Sequence, residues 1–360
     1  MSAAWGTGRP PVVVLVFPAA LTPLLAESIR AQAASAGISM DLRSLDSSDV
    51  PSARPAGAAR KGGSMASRRG HELLLDDEQR ATLAEADVLV GFQLPSGIER
   101  LAPRARFVQS TSAGVGRLVA TLRGTSIRLA SAAGLSGDKV AEFAMARLLT
   151  VWSGARTLDS LQRARRWAPE EVDTSQIAGR TVLVAGTGGI GQAFARRATA
   201  FDLRCVGVRR RPELGTPAGF ERVVGPDQWR AELPGADAVV LALPATDRTA
   251  RLVGAVELAA MKRGAVLCNV ARGALVDEEA LVAALTSGHL GAAVLDVTAR
   301  EPLSRRSPLW RAPNVYLSPH VANDWRPEYL YAVARLVVEN VARELRGEQL
   351  VNLVDLAEGY

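Results

Sequence analysis

Apolar residues recur along the chain in two alternating patterns. Val12–Phe17, Val88–Gly91, Thr181–Ala185, Ala238–Leu243, Ala265–Asn269 and Ala292–Asp296 are short, nearly continuous aliphatic runs. Such runs predict strands covered on both faces, as parallel strands are. Met40–Leu45, Phe107–Ser110, Ile127–Ala130, Leu203–Val208 and Val315–Ser318 read as further strands. Between them, apolar positions follow a helical period. Helices are predicted over Leu24–Ala36, Asp77–Glu85, Val140–Leu158, Val256–Lys262, Asp277–Ser287 (closed by Gly288) and Pro327–Leu345. The strand–helix rhythm predicts an α/β protein, and no internal repeat interrupts it.

One junction in this rhythm is chemically distinctive. In TVLVAGTGGIGQAFARR, Gly186, Gly188 and Gly191 follow the Thr181–Ala185 run at the spacing G-x-G-x-x-G, and a helix can begin at Ile190. A strand, a glycine turn and a helix N-terminus together make a cradle for a pyrophosphate: amide groups face the anion and the helix dipole favours it. The predicted cofactor contacts are Gly186, Gly188, Gly189, Ile190 and Gly191. The fold expected around them is a Rossmann-type doubly wound parallel sheet, residues 133–321, inserted into a smaller flavodoxin-like α/β domain. Residues 1–132 and 322–360 build that second, substrate-binding domain, with a cleft between the two as the expected ligand site. The second strand of such a unit normally ends in an acid that binds the ribose hydroxyls. Here Val208 is followed by Arg209, Arg210 and Arg211, which would pair with a 2′-phosphate instead. This predicts a preference for NADP(H), with NAD(H) still usable.

Composition narrows the class. With 360 residues, 48% of them hydrophobic, the chain is long enough for two packed domains. The net charge of +6 would suit a polyanion binder, but five cations and no acid lie between Val50 and Gly70, leaving the rest near +1. The basicity belongs to a Pro/Gly/Ala/Ser-rich loop, so nucleic acid is not the expected partner. The segment PVVVLVFPAALTPLLA resembles a signal peptide only superficially, because Pro18 and Pro23 interrupt it. No run reaches the ~18 apolar residues of a membrane span, and a cytoplasmic location is expected. Cys205 and Cys268 fall in predicted strands, as buried thiols of a reducing compartment. His71, His289 and His320 are scattered singly, and no metal site is predicted.

Candidate chemistry clusters just beyond predicted strand ends, where open α/β sheets bind ligands. Arg272 follows one strand in LCNVARGALVDEEAL. Asp296 ends another in AVLDVTAREPL, with Glu301 beyond it, and His320 follows a third in VYLSPHVAND. An arginine, a carboxylate and an imidazole converging there suit anion recognition coupled to proton transfer.

These motifs, in this order and flanked by STSAGVG and GEQLVNLVD, resemble the D-isomer-specific 2-hydroxyacid dehydrogenase family over nearly the whole chain. The resemblance implies an NAD(P)-dependent oxidoreductase that interconverts a small 2-oxo acid, such as glyoxylate or hydroxypyruvate, and its D-2-hydroxy acid. It implies Arg272, Glu301 and His320 as catalytic residues: Arg272 on the substrate's carboxylate and carbonyl, His320 as general acid, Glu301 holding His320. It adds Leu243, Pro244, Thr249, Val270, Ala271, Asp296 and His320 as cofactor contacts. The backbone of Ser112, Ala113, Gly114 and Val115 is expected to form an anion-holding nest for the substrate carboxylate, which Arg272 also binds. The Met145–Trp167 segment is similar to the family's dimer contact, so a homodimer is expected, with Trp152 and Trp167 as anchors. Ser131 and Gly116 depart from residues common in the family and leave the substrate open. Two other readings stand beside this one: a sister oxidoreductase acting on phosphoglycerate, phosphite or formate, and a non-enzymatic NAD(H)-sensing corepressor.

Overall fold

The structure, a computed structural model, describes residues 9–46, 75–323 and 326–359. The chain divides into two compact units, 1–135 with 325–360, and 136–324. Each junction falls three residues beyond the division expected from the sequence. His71 and the basic 51–70 loop lie outside the described residues.

The terminal unit holds strands β1 (Val12–Phe17), β2 (Asp41–Asp46), β3 (Val88–Gly91), β4 (Phe107–Ser110) and β5 (Arg128–Ala130). They pair in parallel in the order β2-β1-β3-β4-β5, the flavodoxin-like arrangement. Helices α1 (Thr22–Ser35), α2 (Asp77–Ala84), α3 (Ile98–Leu101) and α4 (Gly116–Leu122) connect them. The central strands are apolar throughout because each sheet face carries its own core. One core joins Val13, Leu15 and Phe17 to α1 and to Leu330, Val333 and Val337 of the C-terminal helix; the other joins Val14 and Val16 to Leu83, Ile98 and Leu118. Edge strand β2, with the sequence DLRSLD, is mostly half-buried, which accounts for its mixed composition.

The inserted unit carries β6 (Thr181–Ala185), β7 (Arg204–Val208), β8 (Arg222–Val224), β9 (Ala238–Leu241), β10 (Val266–Asn269), β11 (Ala292–Leu295) and β12 (Val315–Leu317). All pair in parallel, in the order β12-β11-β10-β9-β6-β7-β8. Chain progression reverses between β6 and β9, which makes their carboxyl ends the topological switch point. Helices α5 (Gly137–Trp152) and α7 (Gly189–Ala198) contribute to one core, and α9 (Ala255–Ala260) and α10 (Glu278–Thr286) to the other. The set is completed by α6 (Ala155–Ala164), α8 (Trp229–Glu232) and the C-terminal helix α11 (Pro327–Arg346), which belongs to the terminal unit.

Two expectations are corrected. The single helix over Val140–Leu158 is two helices, because Gly154 takes a left-handed φ of 64° between α5 and α6. Strand β8 has no counterpart in the sequence reading. It is a short edge strand whose first residue is an exposed arginine, so its apolar signal is weak.

Candidate active site

The glycine turn leaves β6 at the switch point. Gly186 has a φ of +108°, and side chains at Gly186 or Gly191 would overlap backbone, the carbonyls of Ala242 and Gly186 respectively. The turn is therefore pressed against the loop after β9 and against its own helix. Gly188 is different: a Cβ there would meet nothing within 4 Å. That open face beside the N-terminus of α7 fits a pyrophosphate. Gln192 braces the turn by donating to the Thr187 carbonyl at 2.9 Å. Arg209 and Arg210 follow β7; the Arg209 amide donates to the Val224 carbonyl at 3.1 Å and its guanidinium to the Gly215 carbonyl at 3.4 Å.

Other expected cofactor contacts are committed to holding their own loops. The Thr249 hydroxyl donates to the Pro244 carbonyl and accepts from the Thr246 amide, both at 2.8 Å, pinning the turn that follows Leu243. Val270 and Ala271 are buried, and the Ala271 amide donates to Asn269 Oδ1 at 3.1 Å. Asp296 is 2% exposed; its carboxylate accepts from Ser318 Oγ (2.7 Å) and from the amides of Val321 and Ala322 (both 3.0 Å). It is turned inward and fastens the loop that carries His320.

Arg272, Glu301 and His320 follow the three adjacent parallel strands β10, β11 and β12, and the structure brings them together. His320 Nδ1 lies 2.8 Å from Glu301 Oε2. Its backbone is left-handed at φ 55°, a conformation in which histidine is enriched among non-glycine residues, and its amide donates to the Asp296 carbonyl at 2.8 Å. The pair is half-exposed, at 46% for His320 and 39% for Glu301. The hydrogen bond that the ring donates to Glu301 raises the imidazole pKa above its ordinary value, against burial and the charge of Arg272. Burial pushes the Glu301 carboxyl upward, but hydrogen bonds from His320 and the Thr298 amide, with the charge of Arg272, hold it below the usual range. Arg272 is partly buried, and burial lowers its pKa while Glu301 opposes the shift. At neutral pH the cluster is thus an ionised carboxylate holding a readily protonated imidazole beside a guanidinium.

Sequence reasoning missed the groups that hold this cluster. Asn269, fully buried at the end of β10, accepts the Ala271 amide and donates to the Arg272 carbonyl at 2.9 Å, closing the arginine's turn from both sides. A lone asparagine ending an apolar strand just before a turn is the signal that could have found it.

In the terminal unit, the Ser112–Val115 segment follows β4. Part of the backbone expected to form the nest is already engaged. Ser110 Oγ takes the Ser112 amide and Ser112 Oγ takes the Gly114 amide, at 3.0 and 3.2 Å, so two of the four amides are used internally. Serine hydroxyls compete for backbone donors over this short range. The amides of Ala113 and Val115 are not engaged in this way.

Cys205 and Cys268 are free and buried, and burial pushes both thiols up to about 12, which leaves them unreactive. Among the described residues, no cluster of three or more His, Cys, Asp or Glu side chains could hold a metal, and no helix is long and apolar enough to cross a membrane.

A glycine turn at the switch point, with an arginine and an imidazole–carboxylate pair on the same sheet edge, defines a dinucleotide-dependent oxidoreductase. Residues 145–322 match the family model described as D-isomer specific 2-hydroxyacid dehydrogenase, NAD binding domain. The chain is 34% identical to the glyoxylate reductase of Korarchaeum cryptofilum over 71% of its own length and 77% of that protein. A D-isomer specific 2-hydroxyacid dehydrogenase of Xanthobacter autotrophicus, solved with NADPH and MES, superposes with a TM-score of 0.79 at 28% identity, covering 98% of this chain and 100% of that one. The NADPH-dependent glyoxylate/hydroxypyruvate reductase of Sinorhizobium meliloti, solved with NADP and sulfate, gives a TM-score of 0.76 at 26% identity, with coverage of 98% and 100%. The chain belongs to the D-isomer specific 2-hydroxyacid dehydrogenase family and is an NAD(P)-dependent enzyme of that family.

Proposed function

We propose that the protein reduces a small 2-oxo acid of the glyoxylate or hydroxypyruvate kind to the D-2-hydroxy acid, with NADPH preferred over NADH. The observation that carries this reading is the 2.8 Å contact between His320 and Glu301 beside Arg272, beyond three adjacent strand ends.

The reduced nicotinamide, when bound, supplies hydride to the carbonyl carbon. Arg272 holds the substrate's carboxylate and carbonyl oxygen in its planar fork, and partial burial strengthens that attraction. With Nδ1 committed to Glu301, His320 has Nε2 left to deliver a proton to the carbonyl oxygen as charge develops there. Glu301 fixes the ring and keeps the imidazolium populated. The half-exposed ring then takes its next proton from water. Arg209 and Arg210 would pair with a 2′-phosphate, and the loops at Leu243, Pro244, Thr249, Val270 and Ala271 would hold the cofactor through backbone and apolar surface. Asp296 serves the same site by anchoring the His320 loop. In the terminal unit, Ala113 and Val115 offer the amides we assign to anion holding.

The relatives' names support the substrate class, and the NADPH and NADP in two solved neighbours support the cofactor preference. Two free thiols agree with a reducing, cytoplasmic setting. We also read the protein as a homodimer, through the arm in which Trp167 is 97% exposed. Trp152, at 5%, belongs to the core of its own unit and is no anchor.

The test is an NADPH-oxidation screen over glyoxylate, hydroxypyruvate, pyruvate and bulkier 2-oxo acids, repeated with NADH. Fastest turnover of the smallest acids with NADPH is expected. No oxidation with any 2-oxo acid would overturn the activity, and stronger use of NADH would overturn the cofactor preference.

A further inference from the structure

Glu301 meets His320 from a surface loop, and nothing in its own exposed side chain explains why that loop holds still. Three contacts do. Glu301 Oε1 accepts the Thr298 amide at 3.1 Å, closing the loop on itself, and Thr298 Oγ1 donates to the Arg300 carbonyl at 3.0 Å. The third contact comes from elsewhere in the chain: Glu278 Oε1 accepts the Ala299 amide at 2.6 Å. Glu278 opens α10, whose start is fixed by Asp277 accepting the amides of Glu279 and Ala280 at 3.1 and 3.2 Å. Between Arg272 and Glu278, Gly273 lies flat against the same loop, where a Cβ would overlap the backbone of Thr298 and Ala299. A single stretch, Arg272–Glu278, therefore carries the guanidinium at one end and fastens the loop of its carboxylate neighbour at the other.

From this geometry we infer that Glu278 is a positioning residue for proton transfer: it sets the distance between Glu301 and His320 by clamping the Ala299 amide. The inference rests on the proposed role of His320. A charged acceptor on a backbone amide is one of the stronger single hydrogen bonds available to a surface loop. Without it, the segment Thr298–Glu301 loses its hydrogen bond to α10, and the distance from the Glu301 carboxylate to the imidazole is less tightly set.

The experiment compares wild type with Glu278→Ala, Glu278→Asp and Glu278→Gln, reading the His320 imidazole by NMR and the pH profile of kcat/KM for 2-oxo acid reduction. Position 278 is partly exposed and alanine is a good helix former, so the fold tolerates the first variant. Glu278→Ala is expected to lower the His320 pKa and move the basic limb of the profile to lower pH. At neutral pH it costs about tenfold in kcat/KM, within what small misplacement of a reacting group costs. Glu278→Asp, one methylene short, gives the same shift in smaller measure, and Glu278→Gln, which keeps an acceptor of the same reach, restores most of the wild-type profile. An unchanged His320 pKa in both Glu278→Ala and Glu278→Asp overturns the clamp. Full activity of His320→Ala would instead overturn the role of His320 itself, so the two failures are told apart.

Discussion

Two turns on the same edge of the inserted sheet do opposite things with their backbone. After β6, the turn at Gly186–Gly191 is four-sixths glycine, and its exposed face at Gly188 opens onto empty space. After β10, the turn at Val270–Gly273 is tied by Asn269 at the Ala271 amide and the Arg272 carbonyl, and it presents one long charged side chain, Arg272. In the proposed function the first turn binds the cofactor through its glycine backbone, and its fidelity depends on close backbone packing. In the same proposal the second works through a side chain, and its fidelity depends on polar buttresses. Cofactor affinity and chemistry should therefore fail separately.

His320→Ala should show the sharpest separation. Loss of a positioned acid lowers kcat by about 10²–10⁴, while NADPH affinity measured by fluorescence titration stays at the wild-type level. Equal losses in both would erase the distinction between the turns. Gly191→Ala is the converse. Its methyl would press on the Gly186 carbonyl, with a stability loss of about 3 kcal/mol and failure to bind NADPH, read by thermal melting with and without cofactor. Arg272→Lys keeps the charge but not the fork, and kcat/KM is expected to fall by about ten- to a hundredfold with NADPH affinity intact. The smallest effect belongs to Arg209→Asp. Steady-state kinetics should show the NADPH/NADH preference swing by about tenfold or more, the worth of a charge-assisted hydrogen bond, with little change in kcat.

The same contrast explains what could be read from the chain. A glycine cradle is legible because its constraint is local: the spacing of Gly186, Gly188 and Gly191 after an apolar run encodes the turn. Arg272, Glu301 and His320 were legible by position, since each follows a strand that periodicity marks. Their supports were not. Glu278 matters because Ala299, distant in sequence, lies against it, and Asn269 looks like any polar strand end until its two bonds are seen. Asp296 was legible as a strand-end acid, but the direction of its carboxylate, inward onto the Ser318–Ala322 loop, depends on the register of β11 and β12. At Ser112–Val115 the sequence displayed small residues and amides but hid the competition from two serine hydroxyls. The helix break at Gly154 was missed because apolar residues keep their spacing on either side of it.

In the proposed function His320 is a proton donor whose ionisation Glu301 controls, and the pH dependence of kcat/KM in wild type and Glu301→Gln measures that directly. Reduction needs the imidazolium, so activity should fall as pH rises through the raised His320 pKa, and the reverse reaction should rise over the same range. Replacing the carboxylate removes the largest cause of that elevation, so in Glu301→Gln the basic limb is expected to move to lower pH. A limb that stays where it was, or moves to higher pH, would contradict the account.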